Sequence, residues 1–67
     1  MLGNEIKKYL LENGLKQSFL SEKTGISISK LNSILNNNRK ILAEEYFLIC
    51  KALNVDVCFF YNELQKG

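Results

Sequence analysis

The sequence contains no histidine, which limits the chemistry that the chain can perform. No Ser-His or Cys-His nucleophile pair can form, and a zinc site would depend on carboxylates and two thiols. Cys50 and Cys58 are too far apart for a CxxC pair, so we expect two buried or half-buried free thiols. Glu44 and Glu45 are neighbours that point in different directions on a helix, and no GxxxxGK loop occurs. We therefore predict that the chain is not an enzyme and that it holds no cofactor or metal.

Proline is also absent, and glycine occurs at only four positions. A proline-free chain of 67 residues is compatible with one domain, residues 1–67, of closely connected helices. No apolar run is longer than that of residues 46–50, which is too short to span a bilayer, and residues 1–11 lack the pattern of a signal peptide. We expect a cytoplasmic protein without a membrane segment and, at this length, without a pocket for a small-molecule effector.

Charge is unevenly distributed along the chain, although its net value is only +2. Residues 1–40 contain seven basic and three acidic side chains, whereas residues 41–67 contain two basic and four acidic ones. A basic half beside an acidic half indicates a face turned toward an anionic partner, although this signal is weak by itself.

Apolar residues recur at intervals of three or four residues, which predicts an all-α chain. The turn and cap residues divide it into five helices, at residues 4–13, 16–23, 27–36, 43–53 and 57–64. Asn4, Ser27 and Asp56 are the predicted N-caps of the first, third and fifth helices. A wide apolar set predicts that the fourth helix is centrally buried, and its members are Ala43, Tyr46, Phe47, Ile49, Cys50 and Leu53.

Residues 17–36 meet the physical requirement of a helix-turn-helix unit, which is two short helices joined by a tight turn containing glycine. Gly25 makes the turn because glycine takes a positive φ without penalty. Ser21 is small, so the third helix can cross close over the second. Four apolar residues are predicted to fill the wedge between these helices, namely Leu20, Ile26, Leu31 and Ile34.

Several short segments resemble the Cro/CI-like, or Xre, family of phage and bacterial regulators. They are GLKQ at residues 14–17, EKTGIS at 22–27 and ICKALNV at 49–55, together with the spacing of Leu31 and Ile34. The resemblance covers residues 5–61 and implies a compact five-helix, lambda-repressor-like domain that docks its third helix in the DNA major groove. The chain departs from the family pattern at Lys16 and Leu42, which replace common cap residues, and at Ser21, which replaces alanine. Leu42 could serve a partner contact instead.

The predicted third helix has a core face and an opposite face of small residues without charge, when wound at about 100° per residue. Uncharged polar groups suit base edges: asparagine can pair with adenine, serine can serve any base, and isoleucine can pack on a thymine methyl group. The resemblance implies base contacts from the first turn and the middle of this face. These positions are Ile28, Ser29, Asn32 and Ser33. Alternatively, they are ordinary surface residues.

Phosphate contacts require donors around the groove, often near helix starts. Gln17 matches a phosphate contact of the family. The full set of candidates opens the second helix or ends and follows the third, and it comprises Lys16, Gln17, Asn36, Asn38, Arg39 and Lys40. Each lysine could instead be a solvated surface charge.

The C-terminal segment is rich in aromatic residues, and a single short helix cannot hide them all, which predicts an exposed apolar patch. Because family members commonly dimerise through this region, the resemblance implies a homodimer, at least on DNA. The interface candidates are Phe59, Tyr61 and Leu64. Alternatively, these residues complete the core.

Two functions are compatible with these observations. The first is sequence-specific binding of double-stranded DNA by a transcriptional regulator, such as a phage or bacterial repressor. The second is a protein–protein interaction module of helix-turn-helix fold, such as an antitoxin-like partner, because a fold does not determine its use. The uncharged face of the third helix beside basic residues favours DNA.

Overall fold

The computed structural model describes the backbone of residues 2–65 and the side chains of residues 2–62. Within this range the chain forms five helices and no β-strand, which confirms the predicted all-α, five-helix fold. The helices are α1 (Leu2–Glu12), α2 (Gln17–Thr24), α3 (Ile28–Leu35), α4 (Ala43–Leu53) and α5 (Phe59–Gln65).

Two of the predicted helix starts are wrong. Asn4 does not cap α1 but lies inside it, and its side-chain oxygen accepts a hydrogen bond of 2.6 Å from Asn37 Nδ2. The side chain therefore ties α1 to the segment after α3, a tertiary role that replaces the local one. The fifth helix begins at Phe59, two residues later than predicted, because residues 57–58 form a turn in which the Cys58 amide donates to Asp56 Oδ1 at 3.2 Å.

One hydrophobic cluster holds the described helices together, and each of them contributes to it. Its buried members are Ile6, Leu10, Leu20, Ile26, Leu31, Leu35, Ile49, Cys50, Leu53 and Phe60. Ile34 is buried as well, but it lies outside this cluster and lines a groove with Leu2 and Gly3. It therefore packs toward α1 and does not fill the wedge between α2 and α3 as predicted.

The fourth helix is buried on one side only, which corrects the predicted central burial. Ile49 and Cys50 are buried, but Ala43 is exposed and Phe47 exposes 54% of its surface. The periodic pattern measures the width of an apolar arc, but it does not show whether a neighbouring helix covers all of that arc. The same correction applies to Cys58, whose thiol was expected to be covered and which is exposed.

The first helix approaches the end of α3 very closely at Gly3. A Cβ atom on Gly3 would overlap the backbone carbonyl oxygen of Ile34 and would lie 2.8 Å from Asn37 Oδ1. Only glycine leaves room for this approach, which sets the position of the C-terminal end of α3 relative to α1.

Candidate nucleic-acid interface

The turn between α2 and α3 is fixed by two hydroxyl groups of α2. Gly25 has a φ of 78°, and its amide donates to the Ser21 carbonyl at 2.8 Å. The Ser21 hydroxyl donates to the Ile26 carbonyl at 2.5 Å. The Thr24 hydroxyl donates to the Leu20 carbonyl at 2.7 Å and accepts from the Ile26 amide at 3.1 Å. These bonds satisfy the polar groups of the turn and thereby determine the direction in which α3 leaves it.

The third helix begins with the predicted N-cap. The Ser27 hydroxyl accepts a hydrogen bond of 3.2 Å from the Lys30 amide, which satisfies one of the free amides of the first turn. Ile26 and Leu31, which lie on either side of the cap in the sequence, are both buried in the core cluster. The start of α3 is thus held by polar and apolar contacts together.

Three of the four predicted base-contacting residues are exposed to solvent on the side of α3 that faces away from the core. Ile28 exposes 52% of its surface, and Ser29 and Asn32 are also exposed. Ser33 is half-buried, and its carbonyl accepts from the Asn38 amide at 2.8 Å. We call Ile28, Ser29, Asn32 and Ser33 the exposed face of α3. It contains no charged side chain.

Asn36, one of the predicted phosphate contacts, is engaged by two other residues. Its Oδ1 accepts from Lys7 Nζ at 2.8 Å, and its Nδ2 donates to the carbonyl of Asn32 at 2.8 Å and to Asn32 Oδ1 at 3.0 Å. Lys7 was not identified from the sequence, because it lies 29 residues from Asn36 and only the packing of α1 beside α3 brings them together. The contact places a lysine of α1 next to the exposed face.

Lys30, the single basic residue of α3, is paired with a carboxylate of α4. Its Nζ lies 3.4 Å from Oε2 of Glu45, which is buried. The Leu42 amide donates to Glu45 Oε1 at 2.9 Å, so Glu45 also satisfies the start of α4, where Leu42 lacks a side-chain acceptor of its own. This amide bond, with the charges of Lys30 and Arg39 adding to it, holds the pKa of Glu45 below its usual value despite burial.

The remaining candidates for phosphate contacts lie at the start of α2 and after α3. Lys16 is the exposed N-cap residue of α2, and Gln17 is its half-buried first residue. Asn38, Arg39 and Lys40 are exposed and line a groove of about 350 Å³ that also borders the end of α3 at Ile34. We call Lys16, Arg39 and Lys40 the basic rim.

The C-terminal surface differs from its predicted composition. Tyr61 exposes 60% of its surface, but Phe59 exposes only 36% and packs edge-on against Tyr9 and Phe60, at centroid distances of 5.4 Å and 5.0 Å. The side chain of Leu64 lies outside the described residues. Phe47 and Val57, absent from the predicted set, line an apolar groove of about 310 Å³ with Tyr61. We call Phe47, Val57 and Tyr61 the apolar patch.

Tyr46 connects α4 to the segment before α5 under this patch. Its hydroxyl donates to the Val57 carbonyl, and burial raises the pKa of Tyr46 to about 12. The phenol therefore remains a neutral donor at physiological pH. Its bond holds Val57 in place at the edge of the apolar patch.

Acidic and thiol side chains do not gather in groups of three that could hold a metal ion anywhere in the described part of the chain. In the same part, every helix is too short and too polar to cross a membrane.

The helices α2 and α3 are short and are joined by a turn that hydrogen bonds hold in place, and α3 has an exposed uncharged face. This arrangement defines a helix-turn-helix protein. A family model described as helix-turn-helix matches residues 6–60. The chain therefore belongs to this family, the Cro/CI-like or Xre helix-turn-helix regulators, which bind DNA and are not an enzyme family. The predicted resemblance is confirmed. No curated protein and no solved structure matches the chain.

Proposed function

We propose that this protein is a transcriptional regulator that binds double-stranded DNA at specific sequences, with α3 in the major groove. The observation that carries the proposal is the exposed face of α3, which offers hydroxyl, amide and methyl groups and no charge. Groups of this kind discriminate base edges in the major groove, which is wide enough to admit a helix. Membership of a DNA-binding family supports the same use.

The proposed contacts divide into two sets. Ile28, Ser29, Asn32 and Ser33 contact base edges and determine the sequence that is bound. The second set, the basic rim together with Gln17 and Asn38, contacts phosphates and positions α3 without selecting a sequence. Lys30 contributes little to the second set, because Glu45 neutralises its charge.

The test is selection of binding sites from random duplex DNA, followed by two substitutions. Asn32→Ala should relax the preference at one base pair and cost about 1–3 kcal/mol on the selected site. Arg39→Ala should weaken binding to all sequences and reduce the slope of log affinity against log salt by about one ion. Lys51→Ala, which removes the same charge from an exposed position in the last turn of α4, is the matched control and should change neither.

Failure of the selection would refute the proposal: folded protein that enriches no motif at low salt does not bind DNA specifically. Equal effects of Asn32→Ala and Arg39→Ala on specific and non-specific duplexes would refute the division of contacts. We further propose that the protein works as a repressor in the bacterial cytoplasm and without a cofactor. A reporter whose promoter overlaps the selected site should then lose expression.

We also propose that the protein binds DNA as a homodimer, because one α3 contacts too few base pairs to select a genomic site. Two copies would contact half-sites about one DNA turn, or roughly 10 base pairs, apart. Tyr61 is the most exposed described residue of the predicted interface, whereas Phe59 is packed against Tyr9 and Phe60. Tyr61→Asp should therefore abolish cooperative binding without unfolding the chain. One chain per site in sedimentation with the selected duplex, and no inverted repeat in the motif, would rule out the dimer.

The alternative function, a protein–protein interaction module, is favoured by one observation. The apolar patch and Leu42 expose large side chains that monomers usually cover. If the selection experiment enriches no motif while the folded protein binds a protein partner through the patch, this alternative replaces the DNA-binding proposal.

A further inference from the structure

We infer that Lys7 and Asn36 are positioning residues that decide which polar atom Asn32 presents to DNA, so that Asn32 acts at the base edge as a donor. The inference rests on the proposed function and deepens it, because it specifies the chemistry of one base contact. It follows from the chain of hydrogen bonds that runs from α1 through the end of α3 to its exposed face.

Lys7, the first member of this series of hydrogen bonds, determines which atoms donate and which accept in the rest of it. An ammonium group has donors and no acceptor, so the atom of Asn36 that faces Lys7 Nζ at 2.8 Å must be the carbonyl oxygen Oδ1. The Nδ2 of Asn36 then faces Asn32. Since Nδ2 is only a donor, the atom of Asn32 that meets it at 3.0 Å must be Oδ1. The Lys7 ammonium and the Asn32 backbone carbonyl, which accepts from the same Nδ2 at 2.8 Å, thus orient two side-chain amides whose oxygen and nitrogen ends have nearly the same shape.

The consequence is that the amide nitrogen of Asn32 is left for a ligand. Asn32 is exposed, and no described protein group accepts a hydrogen bond from its Nδ2. An N–H₂ group selects base-edge acceptors, which are guanine O6 and N7, adenine N7 and thymine O4. Because Oδ1 already accepts from Asn36, Nδ2 is the group of Asn32 whose hydrogen bond is left entirely to the DNA.

The decisive variant is Asn36→Asp. The introduced carboxylate still accepts from Lys7, but it has no donor for Asn32 and must move away from the Asn32 backbone carbonyl, which Nδ2 of the wild type meets at 2.8 Å. The amide of Asn32 should therefore turn, give its Nδ2 to the carboxylate and present Oδ1 to the DNA. An acceptor selects cytosine N4 and adenine N6 instead, so the preferred base pair at this position should reverse, from G·C to C·G or from T·A to A·T.

The experiment is site selection with the wild type and four variants: Asn32→Ala, Asn36→Asp, the double variant and Lys7→Met. Their motifs are compared at the base pair whose preference is lost in Asn32→Ala. In Asn36→Asp the relative affinity for donor-bearing and acceptor-bearing bases should shift by about two- to tenfold at that position alone, the scale of one hydrogen bond. The added negative charge should lower the affinity for every duplex equally, which leaves base ratios unaffected. In the background of Asn32→Ala, the same substitution should leave this base pair unchanged.

The matched control is Lys7→Met, which keeps the length of the side chain and removes the charge that helps to set the direction. The Asn36 amide then has only the Asn32 backbone carbonyl to orient it, so the preference should weaken without reversing. A Lys7→Met protein that loses affinity for all duplexes equally and about one unit of salt slope, with the base preference intact, would show Lys7 to be a phosphate contact only and would overturn the inference.

A second measurement does not depend on DNA. In the free protein, NMR should show the Asn36 side-chain amide hydrogen-bonded. Its proton shift should change in Asn32→Ala, where only the backbone carbonyl of residue 32 is left as acceptor, and also in Lys7→Met. An Asn36 amide that is insensitive to both changes would overturn the inference even if a binding motif exists. A wild type without any motif would instead refute the proposed function, so the two failures are distinguishable. A motif whose Asn32 position is identical in Asn36→Asp would also overturn the inference.

Discussion

Replacing Gly3 with alanine tests how closely α1 must approach the end of α3. The added methyl group would overlap the carbonyl oxygen of Ile34 and lie 2.8 Å from Asn37 Oδ1. The Asn37 side chain can rotate away, but the Ile34 oxygen belongs to the backbone of α3. The helices must therefore separate by several tenths of an ångström, or α1 must shift along its axis.

Two opposing terms decide the sign of the effect. Overpacking of a tight contact costs about 1–3 kcal/mol. The cost should lie in the upper part of that range, because the Ile34 oxygen belongs to the backbone and cannot rotate away. Alanine gains up to about 1 kcal/mol of helix propensity over glycine, but less than this near a helix end. Gly3 is the second residue of α1, so the gain is small and the steric term wins. We expect a net loss of about 1–2 kcal/mol, which lowers the Tm of a domain of this size by about 4–8 °C per kcal/mol.

The assay is thermal and urea unfolding followed by circular dichroism. Ser18→Ala is the control, because it adds helix propensity at an exposed position of α2 and should leave Tm equal or slightly higher. A Gly3→Ala protein that is as stable as the wild type would refute the steric argument, and it would mean that Gly3 does not lie against the Ile34 carbonyl oxygen.

Two further predictions concern polar contacts that hold the helices. Because the pKa of the Glu45 carboxyl is lowered by folding, its ionised form stabilises the protein above the ordinary value of 4.5, and this contribution is lost as the pH falls through the lower folded pKa. The stability difference between wild type and Glu45→Gln, measured by urea unfolding, should therefore shrink as the pH falls below the ordinary value of 4.5, and a constant difference would contradict this. Thr24→Val should cost about 1–2 kcal/mol by leaving the Ile26 amide without its acceptor, whereas Thr24→Ser should cost less than half as much, and equal losses would show that the hydroxyl is unimportant.

The helices were predictable because their signals are local. Ser27 caps α3 through its own hydroxyl, which accepts from an amide three residues away, and Gly25 makes its turn by its own backbone freedom. Asn4 misled the prediction because the same side chain that can cap a helix can also bond across space, and here its partner is Asn37. Phe47 was assigned to the core because an apolar arc does not reveal its neighbours.

The exposed face of α3 was largely predictable for the same local reason: helical periodicity separates Asn32 from the buried Leu31. The interactions of that face were not. Nothing in the sequence indicates that Lys7 reaches Asn36, or that Glu45 neutralises Lys30, because each contact joins different helices and depends on how they pack. Ser21 was likewise interpreted by its small size, whereas its hydroxyl donates a hydrogen bond to the Ile26 carbonyl in the turn.

The ion pair between Lys30 and Glu45 has a consequence for how a binding specificity can change over time. It leaves α3, the recognition helix of the proposed regulator, electrically neutral, so under that proposal the attraction to phosphates would come from residues outside the helix. Attraction to phosphates governs how a protein slides and hops along DNA in search of its site. Exchanges among uncharged residues such as Ser29 would then alter the target and leave the speed of the search unchanged. Gene copies of this protein could diverge to new operators by single substitutions without losing the ability to find them.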